Sequence, residues 1–98
     1  MKNIVKTINA PAPIGPYSQA VKIGNTLYTS GQIAINPETG KLEMDSIEIE
    51  THQVMKNMEA VLNEANMTFD DVVKTSIFIL NMDNFSRINE IYGQYFTS

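Results

Sequence analysis

Apolar and polar positions alternate along the first third of the chain and then change period. Ile4-Val-Lys-Thr-Ile8 alternates in part and predicts a short strand. Residues 9–16 hold three prolines and Gly15, which predicts a rigid loop. Tyr17 to Ile23 and Leu27 to Ile35 predict two further strands, with Gly24-Asn25 as a two-residue hairpin turn. Asn36-Pro-Glu-Thr-Gly40 predicts a second turn.

From Glu43 to Asp45 the pattern leads into a helix. Asp45 followed by Glu48 resembles a capping box, and Glu48 and Glu50 suit the positive N-terminal end of the helix dipole. Thr51, Met55, Met58, Leu62 and Ala65 recur at helical spacing, widened by Val54 and Val61, and Asn66 reads as the C-terminal cap. Val72 to Leu80 is rich in β-branched residues and predicts a strand. Asn81-Met-Asp-Asn84 then opens a second helix with Phe85, Ile88, Tyr92, Tyr95 and Phe96 on its apolar face. The order β-ββ-α-β-α predicts an α+β domain, a mixed or antiparallel sheet with both helices on one face.

Ninety-eight residues make one domain. So short a chain buries a modest share of its surface, so a second source of stability is expected. Cysteine is absent, which excludes disulfides and thiolate metal sites and leaves oligomerisation. A sheet with an uncovered face or edge would favour that outcome. A net charge of −4 argues against a nucleic-acid partner, because phosphate backbones need a broad positive field. No apolar run approaches the ~20 residues that span a membrane, and no signal-peptide core opens the chain. A soluble, cytoplasmic protein is expected.

Few side chains suggest chemistry. Tyr17 follows the proline-rich loop and either lines a pocket or packs as a half-buried strand tyrosine. Ser30-Gly31 interrupts a strand pattern, which marks a bulge or the close approach of a ligand. Asn89 falls about 40° from Phe85 on a helical wheel, so its amide is expected in the apolar sector, bound to a ligand or a loop carbonyl. The single histidine, His52, falls on a helix flank, and one histidine without cysteine makes zinc improbable. The Met55, Met58 and Met67 set reads as core filler. The single arginine, Arg87, lies about 200° from Phe85 and so on the solvent face, not at a carboxylate-binding site.

Three stretches carry a resemblance. Ala10-Pro-Ala-Pro-Ile-Gly-Pro-Tyr-Ser-Gln-Ala20, Leu27-Tyr-Thr-Ser-Gly-Gln-Ile-Ala-Ile-Asn-Pro-Glu-Thr-Gly40 and Val72-Val-Lys-Thr-Ser-Ile-Phe-Ile79 closely resemble the Rid (YjgF) family of reactive enamine/imine deaminases. Older labels for that family are endoribonuclease L-PSP and translation-initiation inhibitor. The resemblance runs the whole chain and implies a chorismate-mutase-like α+β fold and a homotrimer with clefts between subunits. It implies cofactor-free hydrolysis of 2-enamino or 2-imino acids, intermediates that leak from pyridoxal-phosphate enzymes, to 2-oxo acids and ammonia. By the same resemblance Tyr17 and Ser30 are the catalytic residues, and Gly31 and Asn89 bind substrate. Family members continue past this length with further strands, a Pro-Ala-Arg type motif that grips the substrate carboxylate, and a glutamate that positions water. The 98 residues contain neither, so a C-terminally incomplete domain with weak or absent activity is expected. The alternative function is a non-catalytic module that binds small carboxylates; the acidic charge and lone histidine argue against the nuclease label.

Overall fold

A computed structural model describes residues 2–12, 18–73 and 82–96. Strands β1 (Lys2–Val5), β2 (Ala20–Ile23) and β3 (Thr26–Thr29) form an antiparallel sheet in the order β1-β2-β3. Helix α1 (Ile47–Glu64) follows, and helix α2 (Phe85–Tyr95) closes the described chain. The architecture is α+β, as the pattern predicts. The predicted strand 72–80 falls almost wholly outside the described residues, as does the loop segment 13–16.

The β2–β3 hairpin turns at Gly24-Asn25, where Gly24 has φ +59°. A positive φ at the first central residue alone matches the type II′ pattern, whose twist suits a hairpin. β1 and β3 end earlier than predicted. β1 ends at Val5 because the Thr7 N–H and C=O are taken by the Gln19 side chain rather than a neighbouring strand. Ile8 is consequently outside the sheet and almost fully exposed. β3 ends at Thr29, and Ile35 pairs only in an isolated bridge with Leu42. That bridge belongs to the predicted Asn36–Gly40 turn. There Gly40 has φ +72°, and the Asn36 side chain accepts from the Glu38 N–H at 2.8 Å.

α1 starts one residue later than the predicted cap. Ser46, not Asp45, is the N-cap, and its hydroxyl accepts from the Ile49 N–H at 3.1 Å. Glu48 and Glu50 do occupy the first turn. The helix ends as the sequence predicts, around Asn66, which takes φ +60°. The Asn66 N–H donates to Asn63 O at 3.0 Å and the Met67 N–H to Leu62 O at 2.8 Å, the two bonds of a Schellman motif.

α1 is the hub of the packing. Val61 and Ala65 bury against Val5, Ala10 and Ala20 of the sheet side. Met55 and Leu62 bury with Phe69 against Tyr92, Tyr95 and Phe96 at the α2 side. Strand alternation explains the sheet's two faces. Val5, Ala20 and Leu27 point at α1, whereas Ile4, Ile23 and Tyr28 point away and stay exposed.

Candidate active site at the end of β3

The end of β3 lies beside the start of β2. The Ser30 N–H donates to Gln19 O at 2.9 Å, and the Ser30 hydroxyl donates to Ser18 O at 2.5 Å. Ser30 is exposed, so its hydroxyl proton is committed while its oxygen can still accept. Gly31 is exposed too, and a Cβ built on it would meet nothing within 4 Å. Among the described residues its N–H has no partner. The strand end thus offers one acceptor oxygen and one backbone donor side by side. Tyr17 lies outside the described residues, one position along the chain from the Ser18 carbonyl that Ser30 holds.

Two buried amides that the sequence reading overlooked hold this region. Gln19 is 4% exposed. Its oxygen accepts from the Thr7 N–H at 2.6 Å, and its nitrogen donates to the carbonyls of Thr7, Ala10 and Pro11 at 2.9, 3.2 and 2.9 Å. One side chain so satisfies most of the loop leading into residues 13–17. Asn57 on α1 is 1% exposed and donates to the carbonyls of Ile33 and Ile35 at 3.0 and 2.9 Å. A signal for Asn57 existed: it falls about 40° from Val61 on the helical wheel, inside the real core stripe.

Asn89 is not brought to Ser30 by burial. It is exposed on α2, contrary to the predicted apolar sector. The reason is the reference residue: Phe85 is itself 49% exposed, and the buried side of α2 centres on Ile91 with Ile88, Tyr92 and Tyr95 partly covered. Arg87 is on the solvent face as expected, its guanidinium forked onto the Glu48 carboxylate of α1. That hydrogen bond holds the Glu48 carboxyl below its usual range and raises the arginine further. His52, half-buried on α1, meets the Tyr95 hydroxyl at 2.9 Å. A separate open groove of about 410 Å³ lies between Thr7 and Asn9 and the outer turns of α1 at Lys56, Glu59 and Asn63, and Ser30 and Gly31 take no part in it. Among the described residues no cluster of three or more His, Cys, Asp or Glu could hold a metal ion, and no helix is long and apolar enough to cross a membrane.

Among the described residues a three-stranded antiparallel sheet covered by α1, with an exposed Ser-Gly step at a strand end, defines a small α+β protein. The family model for endoribonuclease L-PSP matches residues 7–98. The chain is 42% identical over 98 residues to human 2-iminobutanoate/2-iminopropanoate deaminase, covering all of this chain and 72% of that protein. The crystal structure of the Rid-family protein YyfA from Yersinia pestis superposes with a TM-score of 0.96 at 52% identity, covering 100% of this chain and 78% of that one. E. coli TdcF with bound serine superposes with a TM-score of 0.92 at 35% identity, covering 96% and 73%. The chain belongs to the Rid/YjgF family, whose members include reactive intermediate deaminases.

Proposed function

We propose that the chain hydrolyses reactive 2-enamino and 2-imino acids to 2-oxo acids and ammonia. In this reading a 2-enamino acid first tautomerises to the 2-imino acid, its nitrogen losing the proton that C3 gains; water then adds to the C=N carbon, the tetrahedral carbinolamine expels ammonia, and a C=O bond replaces the C=N bond. No redox partner is needed. Ser30 Oγ accepts a hydrogen bond from the attacking water or the imine N–H, and the Gly31 N–H donates to the substrate. Tyr17 and Asn89 are assigned to the same site from the family resemblance alone. The observation that carries the reading is the Ser30–Gly31 step, where an acceptor and a bare donor stand exposed beside Ser18. The serine bound to TdcF, a small amino acid with a carboxylate, supports a substrate of that size.

The charged half of the site is the finer point. A 2-imino acid carries a carboxylate, which a planar guanidinium grips bidentately. The only arginine in the 98 residues is Arg87, engaged by Glu48. We propose that the 98 residues by themselves turn over imines weakly, and that assembly into a homotrimer with sites between subunits accompanies full activity. A cytoplasmic setting, where pyridoxal-phosphate enzymes release such intermediates, goes with this reading.

Ammonia release from a freshly generated 2-imino acid tests both points. Ser30→Ala is expected to lower kcat/KM roughly tenfold or more, about 1.4 kcal/mol of transition-state stabilisation. Extending the chain with a Pro-Ala-Arg type segment is expected to raise it. Equal rates for the parent and Ser30→Ala chains would remove Ser30 from the mechanism. Binding of 2-oxo acids without turnover by the extended chain would favour the non-catalytic carboxylate-binding module.

A further inference from the structure

We propose that Asn57 is a positioning residue for the Ser30–Gly31 step, acting from α1 through the segment that follows the step. The inference rests on the reading of that step as the imine site. Ser30 is the last residue whose N–H joins the β2 side, through Gln19 O. Beyond it the chain leaves the sheet. The next backbone groups held by another element are the carbonyls of Ile33 and Ile35, and both are held by the Asn57 side chain. Ala34 between them is 3% exposed, and its carbonyl accepts from the Glu43 N–H at 2.8 Å. The segment bends at Ala34, where the Ile35 N–H donates to Ile33 O at 2.9 Å, and the Asn57 NH₂ holds the carbonyls on both sides of that bend.

The amide cannot turn over to present its oxygen. Asn57 Oδ1 accepts from Gln53 Nε2 at 2.9 Å, which leaves Nδ2 aimed at the two carbonyls. A buried primary amide with its donors and acceptor so assigned fixes one geometry. Gly31 and Gln32 are therefore suspended between two clamps, the Ser30–Gln19 bond and the Asn57 fork. Gly31 has no side chain, a Cβ there would meet nothing within 4 Å, and among the described residues its N–H has no partner. The direction in which its N–H points is then set by Asn57, a residue that does not touch the site.

The test compares Asn57→Asp, Asn57→Leu and Val61→Ala in the 98-residue chain. Asn57→Asp keeps the shape but sets an acceptor against two carbonyls. Asn57→Leu removes the donors without charge. Val61→Ala loosens the same helix's core and leaves the 33–35 segment alone. Amide exchange is expected to show protection of the Ser30 and Ile35 N–H groups falling at least tenfold more in both Asn57 variants than in Val61→Ala. In Asn57→Asp protection should recover as pH falls, because a protonated carboxyl can donate to one carbonyl again. Titration with 2-oxobutanoate should weaken at least tenfold in the Asn57 variants and not in Val61→Ala. Protection at Ser30 and Ile35 matching that of Val61→Ala overturns the inference, and so does unchanged 2-oxobutanoate affinity. If neither the parent chain nor a chain extended with a Pro-Ala-Arg type segment binds 2-oxobutanoate, the imine-site reading fails, while the exchange result still decides whether Asn57 holds the 33–35 segment.

Discussion

Asn57, Asn66 and Asn89 are three asparagines with three fates, and helical geometry separates them. Asn57 sits on the buried stripe and spends its amide on loop carbonyls. Asn89 was placed by the same wheel arithmetic but measured from an exposed phenylalanine, so the arithmetic pointed at the wrong sector. Gln19 was legible only as part of a motif, since nothing in a one-dimensional pattern says that one side chain will collect three carbonyls and an N–H. Asn66 was legible outright, because asparagine tolerates the left-handed region that ends a helix. That conformation still strains any residue with a Cβ. Asn66→Gly is expected to raise stability by about 0.5–1 kcal/mol, and Asn66→Ala to lower it by a similar amount. Denaturant unfolding monitored by circular dichroism reads both. Destabilisation by glycine would mean that the asparagine side chain, not the backbone angle, holds the Schellman motif.

The contact between α1 and α2 joins the elements by two polar ties and an aromatic cluster. Arg87–Glu48 is exposed on both sides and so adds little to stability. His52–Tyr95 is better sheltered, and Tyr95 also packs edge-on against Phe69 at 5.4 Å between centroids. Burial, with Glu59 nearby adding to it, raises the Tyr95 phenol above its ordinary pKa of 10.0. A raised folded pKa means the unfolded chain ionises first. The contribution is therefore intact below pH 10 and is lost as pH rises from about 10 through the folded value. Tyr95→Phe should cost about 0.5–1.5 kcal/mol at pH 7, through the lost hydrogen bond to His52. It should also flatten the alkaline fall in stability, which melting curves across pH 7 to about 11 would register. A fall as steep in Tyr95→Phe as in the parent would assign it to other groups. At this scale the sequence was informative about helices, whose periodicity spans many residues. It overran the strands, whose ends are fixed by side-chain amides from elsewhere in the chain.

Among the described residues of the molecule, one sheet face is left bare. Ile4, Ile23 and Tyr28 are 64%, 49% and 62% exposed, and Val21 lies among them. Alternation in the sequence announced an inner face but could not say what the outer one would meet. A single buried face is a modest source of stability for a chain of this length, and fully burying one large apolar side chain contributes about 1.5–3 kcal/mol. The proposed homotrimer would draw on that face. Replacing Ile4 and Tyr28 together by lysine should leave each chain folded, because both side chains already stand in solvent. It should abolish assembly, because every subunit would bring two charges to the contact. Analytical ultracentrifugation of the parent chain is expected to show a trimer, with a melting temperature that rises with concentration. The double variant is expected to sediment as a monomer with a lower melting temperature that concentration does not move. A parent chain that stays monomeric at tens of micromolar, or a double variant that still forms trimers, would show that this face is not the one the subunits share. Ser30 Oγ and the Gly31 N–H lie at the end of a strand on this sheet, so loss of assembly should also lower the imine turnover of an extended, active chain. Turnover unaffected by the double variant would place the whole site within one subunit.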